Sequence, residues 1–252
     1  MQTVESADGT KIAFDRSGEG LPLILIVGAF SDRSSTKSLA TGLAPAFTLY
    51  EYDRRGRGDS GDTPPYAIEH EVDDLAALVI AAGGSASVFG HSSGGALALE
   101  AAAAGVPIDK LAVYEPPYTE GPTAEVAAQL SELVTKGRTA EATQRFLALM
   151  GTTPETIDQM KAGPYWTHME SYAPTLPYEV TLCNGGVVPI DRLSKITAPT
   201  LVLAGGASPA WASESTRAVA SSIPGSEQRV LEGQGHGAAD DILTPVLTEF
   251  FT

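Results

Sequence analysis

The segment Gly90-His91-Ser92-Ser93-Gly94 follows a short β-type run at residues 85–89 and precedes a helix-forming stretch at 95–104. A Gly-x-Ser-x-Gly pattern between a strand and a helix makes a turn so sharp that the serine takes a strained backbone. A side chain at either flanking position would then clash. Such a turn lifts the Ser92 hydroxyl above the C-terminal edge of a sheet, where it can attack a carbonyl carbon. The Ser93 amide opens the following helix, whose first N–H groups lack partners in the helix and can hold a developing oxyanion. Ser93 itself is the poorer nucleophile, because moving the frame by one residue puts His91 where glycine is needed. Taken alone, the five residues are equally compatible with a Gly/Ser-rich turn that does no chemistry.

A serine hydroxyl attacks only when a base accepts its proton, and the base is normally a histidine held by a carboxylate. The chain has four histidines. His91 adjoins Ser92 and points away from it by the geometry of the turn. His70 falls in the first turn of a surface helix, and His168 lies among helical patterns beyond residue 117, so both read as solvated or packed side chains. His236 differs in occupying a glycine-flanked loop, Gly235-His236-Gly237, after the last apolar run.

The elements that must position these groups alternate. A weak alternation at 10–15 after the turn pair Asp8-Gly9 suggests an N-terminal hairpin. The continuous apolar run at 21–27 has the look of a strand buried on both faces. Phe47–Tyr52 reads as the next strand, and 68–82 as a helix with Val72, Leu75, Leu78 and Val79 on one stripe. Further strands are expected at 85–89, 111–114, 200–203 and 228–231, with helices at 212–222 and Asp240–Phe251. Between Pro117 and Pro199 the alternation gives way to helical patterns at Ala124–Thr135, Thr139–Leu149 and 154–172, the look of a lid over an active site. Alternation with short buried strands predicts an α/β fold, a mostly parallel, twisted central sheet with helices on both faces. Ligands of such sheets sit at the carboxyl ends of the strands.

Composition narrows the partners. A chain of 252 residues with 43% hydrophobic content can bury one large core, and 16 basic against 31 acidic residues give a net charge of −15. That charge opposes nucleic acid and anionic membrane surfaces alike. Cys183 is the sole cysteine, so neither an intramolecular disulfide nor a cysteine metal cluster can form; it is expected as a free thiol in a loop. Residues 1–11 lack the apolar core of a signal peptide. The run at 21–27 also falls far short of the roughly 20 residues that span a bilayer. A soluble, cytoplasmic protein is the expectation, with oligomeric state unread.

Four features in order resemble the α/β-hydrolase superfamily over essentially the whole chain: Gly28 after its strand, Asp53-Arg54-Arg55-Gly56-Arg57-Gly58-Asp59-Ser60, the turn Gly90 to Gly94, and Gly235-His236-Gly237. The resemblance implies a core at 1–117 and 196–252, with a helical cap at 118–195 inserted after strand 6. It implies His236 as the base, and the amides of Ala29 and Ser93 as the oxyanion hole. The first motif usually reads His-Gly, and here Val27 replaces the histidine, which bears on the support of the loop rather than on the chemistry. The Asp-x-Arg-Gly-x-Gly-x-Ser segment usually braces loops around the turn, and the three arginines are read that way rather than as an anion site.

The acid departs from the superfamily's usual pattern. The loop after 200–203 reads Ala204-Gly205-Gly206-Ala207-Ser208-Pro209-Ala210-Trp211, without a carboxylate, and Glu214 comes too late. Glu115, in Tyr114-Glu115-Pro116-Pro117, stands where zearalenone-type lactone hydrolases and certain haloalkane dehalogenases carry their acid. The alternative for Glu115 is a loop or solvent-facing carboxylate. Phe30, Tyr118, Trp166 and Trp211 are candidates to line the substrate pocket. The expected activity is therefore cofactor-free and metal-free hydrolysis of a small-molecule carboxylic ester or lactone through an acyl-enzyme. The same site could instead carry out perhydrolysis, acyl transfer, C–C hydrolysis or lyase chemistry, or the chain could be a non-enzymatic ligand-binding member of the fold.

Overall fold

The computed structural model describes all residues except 120 and 122. Eight strands form one sheet: β1 (Gln2–Glu5), β2 (Lys11–Ser17), β3 (Leu21–Ile26), β4 (Phe47–Tyr52), β5 (Ala86–His91), β6 (Ile108–Tyr114), β7 (Thr200–Gly205) and β8 (Glu227–Leu231). Their spatial order is β1-β2-β4-β3-β5-β6-β7-β8. The β1–β2 hairpin is antiparallel and joins β4 in antiparallel fashion, while β4 to β8 run parallel.

The apolar runs are continuous because each central strand feeds two cores, successive side chains pointing to opposite faces. Ile24 and Ile26 of β3 join Val113 of β6 and Val202 of β7 in one buried cluster. Leu23 and Leu25 join Ala112, Leu201 and Leu203 in the other. Helices α2 (Ile68–Ala81), α3 (Ser93–Ala103) and α10 (Ala210–Ser222) cover the first face, and α1 (Lys37–Leu43) and α11 (Asp240–Phe251) the second. The expected α/β architecture is thus present.

Between β6 and β7 the chain makes α4 (Ala124–Thr135), α5 (Thr139–Leu149), α6 (Pro154–Lys161), α7 (Trp166–Ser171), α8 (Leu176–Leu182) and α9 (Ile190–Leu193). Leu130, Phe146, Leu176 and Val180 build a third cluster here, against which Ala29 and Phe30 pack. The single helical pattern expected at 154–172 divides into α6 and α7 at Gly163-Pro164, where proline removes a donor and excludes the helical conformation before it. The unexpected α8 contains Pro177, which reads as a breaker but sits in the first turn, where a missing N–H costs nothing. No described helix is long and apolar enough to cross a membrane.

Candidate active site

Strand β5 delivers Ser92 to the C-terminal edge of the sheet, and α3 begins at the next residue. Ser92 has φ 55° and ψ −126°, a conformation that costs a side-chain-bearing residue energy and persists only when its surroundings enforce it. Its N–H donates to the Tyr114 carbonyl at 2.8 Å, and its carbonyl accepts from Gly95 at 2.8 Å. A Cβ on Gly90 would lie 2.4 Å from the Gly94 carbonyl oxygen, and one on Gly94 the same distance from that of Ile26. The steric demand for both glycines is therefore met by backbone that cannot move aside.

Two further residues converge on that hydroxyl. His236, in the loop after β8, places Nε2 3.1 Å from Ser92 Oγ and Nδ1 2.7 Å from Glu115 Oε2. Glu115 follows β6 with φ 48° and is fully buried. Its other oxygen accepts the Gly205 amide at 2.7 Å. Burial pushes the Glu115 carboxyl up, but its hydrogen bonds, that from His236 foremost, outweigh it and hold the group below its ordinary range. The end of β7 thus contributes an N–H to the carboxylate that the end of β6 supplies.

His91 has a part that nothing in the sequence flags. Burial pushes its imidazole down to about 4, so the ring is neutral. Its Nε2 lies 2.7 Å from the His236 carbonyl oxygen, which requires the proton on that nitrogen. The Trp211 ring stands edge-on to His236 with centroids 5.4 Å apart.

Opposite the serine runs the loop Gly28 to Ser31. Neither the Ala29 nor the Ser93 amide donates to another protein group among the described residues, and both residues border the cavity described below. Arg57 supports this loop. Its Nη1 donates to the carbonyls of Gly28 at 2.6 Å and Ser31 at 3.1 Å, one on each side of Ala29. The neighbouring guanidinium groups are also braces: Arg54 grips both oxygens of Glu71 at 2.7 Å, and Arg55 grips Asp74 and Asp8. All three arginines are buried against carboxylates.

Ser92 and His236 open onto a cavity of about 350 Å³. Phe30, Phe146, Leu147, Met150, Val180 and Trp211 supply its apolar wall. Of the four aromatic candidates, Phe30 and Trp211 are on this wall and two are not. Tyr118 is 5% exposed and packed into the core beside Leu182 and Leu193, its N–H donating to Ser215 Oγ at 3.2 Å. Trp166 is half-buried on α7, away from the wall, because α5 and α8 are the helices that face the serine. Cys183 is indeed a free thiol, but it is buried at the end of α8 and borders the cavity; burial pushes it up to about 12.

Comparison with known proteins follows the same lines. A curated N-formylmaleamate deformylase from Pseudomonas putida is 35% identical over 119 residues, an alignment that spans 45% of this chain and 44% of that protein. Among solved structures, an alpha/beta hydrolase from Sphaerobacter thermophilus is 48% identical and covers 100% of both chains with a TM-score of 0.93. A thermophilic esterase from Thermogutta terrifontis, malate bound, is 24% identical over 98% of this chain and 96% of its own, with a TM-score of 0.71, a likeness of fold. The profile of the alpha/beta hydrolase family matches residues 23–244, and the chain belongs to that family.

Proposed function

We propose that the protein is a cofactor-independent serine hydrolase that cleaves a small-molecule carboxylic ester or lactone. The observation that carries this reading is the hydrogen-bonded relay from Ser92 through His236 to a buried, ionised Glu115, set beside two unpartnered amides at the floor of an apolar cavity. In the first step Ser92 Oγ attacks the substrate carbonyl carbon while its proton passes to His236 Nε2. The amides of Ala29 and Ser93 hold the oxyanion, and the Glu115 carboxylate stabilises the imidazolium. His236 returns the proton to the leaving alkoxide, which departs from an ester or stays tethered to the acyl chain of a lactone, and an acyl-serine remains. Water then gives a proton to the same nitrogen and attacks the acyl carbon, and His236 passes that proton to the departing Ser92 Oγ, which releases the acid and restores the free serine.

The helices between β6 and β7 act in this account as the lid of a cap at 118–195, supplying the wall that excludes bulk water. The deformylase relative favours a second reading, in which the same relay cleaves an N-acyl bond. Turnover of a panel of short-chain esters, small and macrocyclic lactones and N-formyl amides separates the two. The account expects esters or lactones to be the better substrates, with Ser92→Ala slower by about 10⁶-fold. Preference for N-formyl amides would establish the second reading, and no turnover of any would remove both.

A further inference from the structure

Among the described residues the cavity wall offers no free cation that would anchor an acid. Glu179, on α8, borders the cavity, and no lysine or arginine does so among the described residues. The nearest cations are already committed. Arg57 Nη2 donates to Glu179, and Arg54 Nη1 lies 3.0 Å from the same carboxylate while holding Glu71 with its other nitrogens. Two guanidinium groups and two carboxylates therefore form a buried, neutral quartet behind the oxyanion loop, with Glu179 as its member on the substrate side. Its side chain is 1% exposed, so little water screens it.

We propose, resting on the hydrolase reading above, that the site is selective for uncharged acyl groups and that Glu179 enforces that selectivity. An acyl tail ending in a carboxylate would leave water for an apolar wall that offers no cation, because Glu179 has already neutralised the guanidinium groups that could attract it. An uncharged tail of the same size meets only side chains it can pack against. The arrangement also explains why a carboxylate stands beside an otherwise apolar cavity: it neutralises the arginine that positions Ala29.

The test compares three p-nitrophenyl esters of similar size: the butyrate, the hemisuccinate and the methyl succinate. At neutral pH the wild-type kcat/KM for the hemisuccinate should fall at least about 100-fold below that for its methyl ester, by the cost of an unpaired buried charge. High salt should leave most of that penalty in place, because a buried charge is screened little whereas the field of the −15 surface is screened strongly. Glu179→Gln leaves two arginines against Glu71 alone, and should narrow the ratio by about 10-fold or more. Equal turnover of the two succinates, or a penalty that vanishes in salt, overturns the proposal. A ratio unchanged in a folded Glu179→Gln removes Glu179 as its cause, and the wild-type ratio decides the selectivity even where the variant does not fold. If none of the three esters is cleaved, this inference is overturned, and if the lactones and N-formyl amides of the panel above are not cleaved either, the hydrolase reading fails with it.

Discussion

Glu115 sits in a backbone conformation that a glutamate avoids, in a place where an isolated carboxylate would be driven neutral, and yet remains ionised. Hydrogen bonds hold it there, foremost that from His236 Nδ1 and with it that from the Gly205 amide. The pair fixes both the charge and the direction of the oxygens, which is what an orienting acid needs. Glu115→Gln keeps the shape and lets either imidazole tautomer form, so kcat should fall by about 10⁴-fold with the fold intact. Steady-state kinetics beside a thermal melt checks both halves. Glu115 could be singled out in the sequence because residues 204–211 contain no carboxylate and its place resembles that of the acid in zearalenone-type lactone hydrolases, but the Gly205 amide that hydrogen-bonds it could not. Tyr118 and Trp166 show the opposite: an aromatic near a site says little about where its ring points, and hydrogen bonding of the Tyr118 backbone to Ser215 turns that ring into the core.

At the scale of elements, strands were legible wherever a side chain is buried on both faces, and their ends were not. Strands β5 and β7 run on through His91 and Gly205, where ladder pairing continues after the apolar run stops. Helix α8 escaped notice behind Pro177, and with it Glu179, the counter-charge of Arg57. This matters because the loop bearing Ala29 is held from two directions, by Arg57 at its carbonyls and by α8 through Glu179. Arg57→Lys cannot span both carbonyls and the carboxylate. Under the proposed mechanism it should lower kcat by about 10- to 100-fold with a smaller change in KM, because the Ala29 amide would then act in the transition state and not in the ground state. A rise in KM alone would make Arg57 a brace of the binding wall instead. Gly94→Ala forces a Cβ to within 2.4 Å of the Ile26 carbonyl oxygen and should destabilise by more than about 3 kcal/mol, read as lost soluble protein or a large fall in Tm.

For the molecule as a whole, the fold brings together side chains 144 and 121 residues apart in the chain at the C-terminal edge of the sheet. The histidine beside them has a pH signature. His91, pushed down to about 4, stays neutral in the folded state while the unfolded chain takes up a proton near the ordinary histidine value of 6.5. Its contribution is therefore complete above that value and lost progressively as the pH falls from there towards 4; the depressed Glu115 acts in the same direction at lower pH. His91→Gln keeps a donor for the His236 carbonyl without titrating. Relative to wild type it should gain on the order of 2 kcal/mol by about pH 4.5 compared with neutral pH, measured by denaturant unfolding. A parallel pH dependence in the two proteins would contradict that origin. The central claim is that the three distant residues act as one unit, and fluorophosphonate labelling with peptide mass mapping tests it most directly. The account predicts label on the peptide bearing Ser92 in wild type, none in Ser92→Ala, and markedly slower labelling in Glu115→Gln. An unlabelled Ser92 in folded wild-type protein, or Glu115→Gln labelling at the wild-type rate, would contradict it.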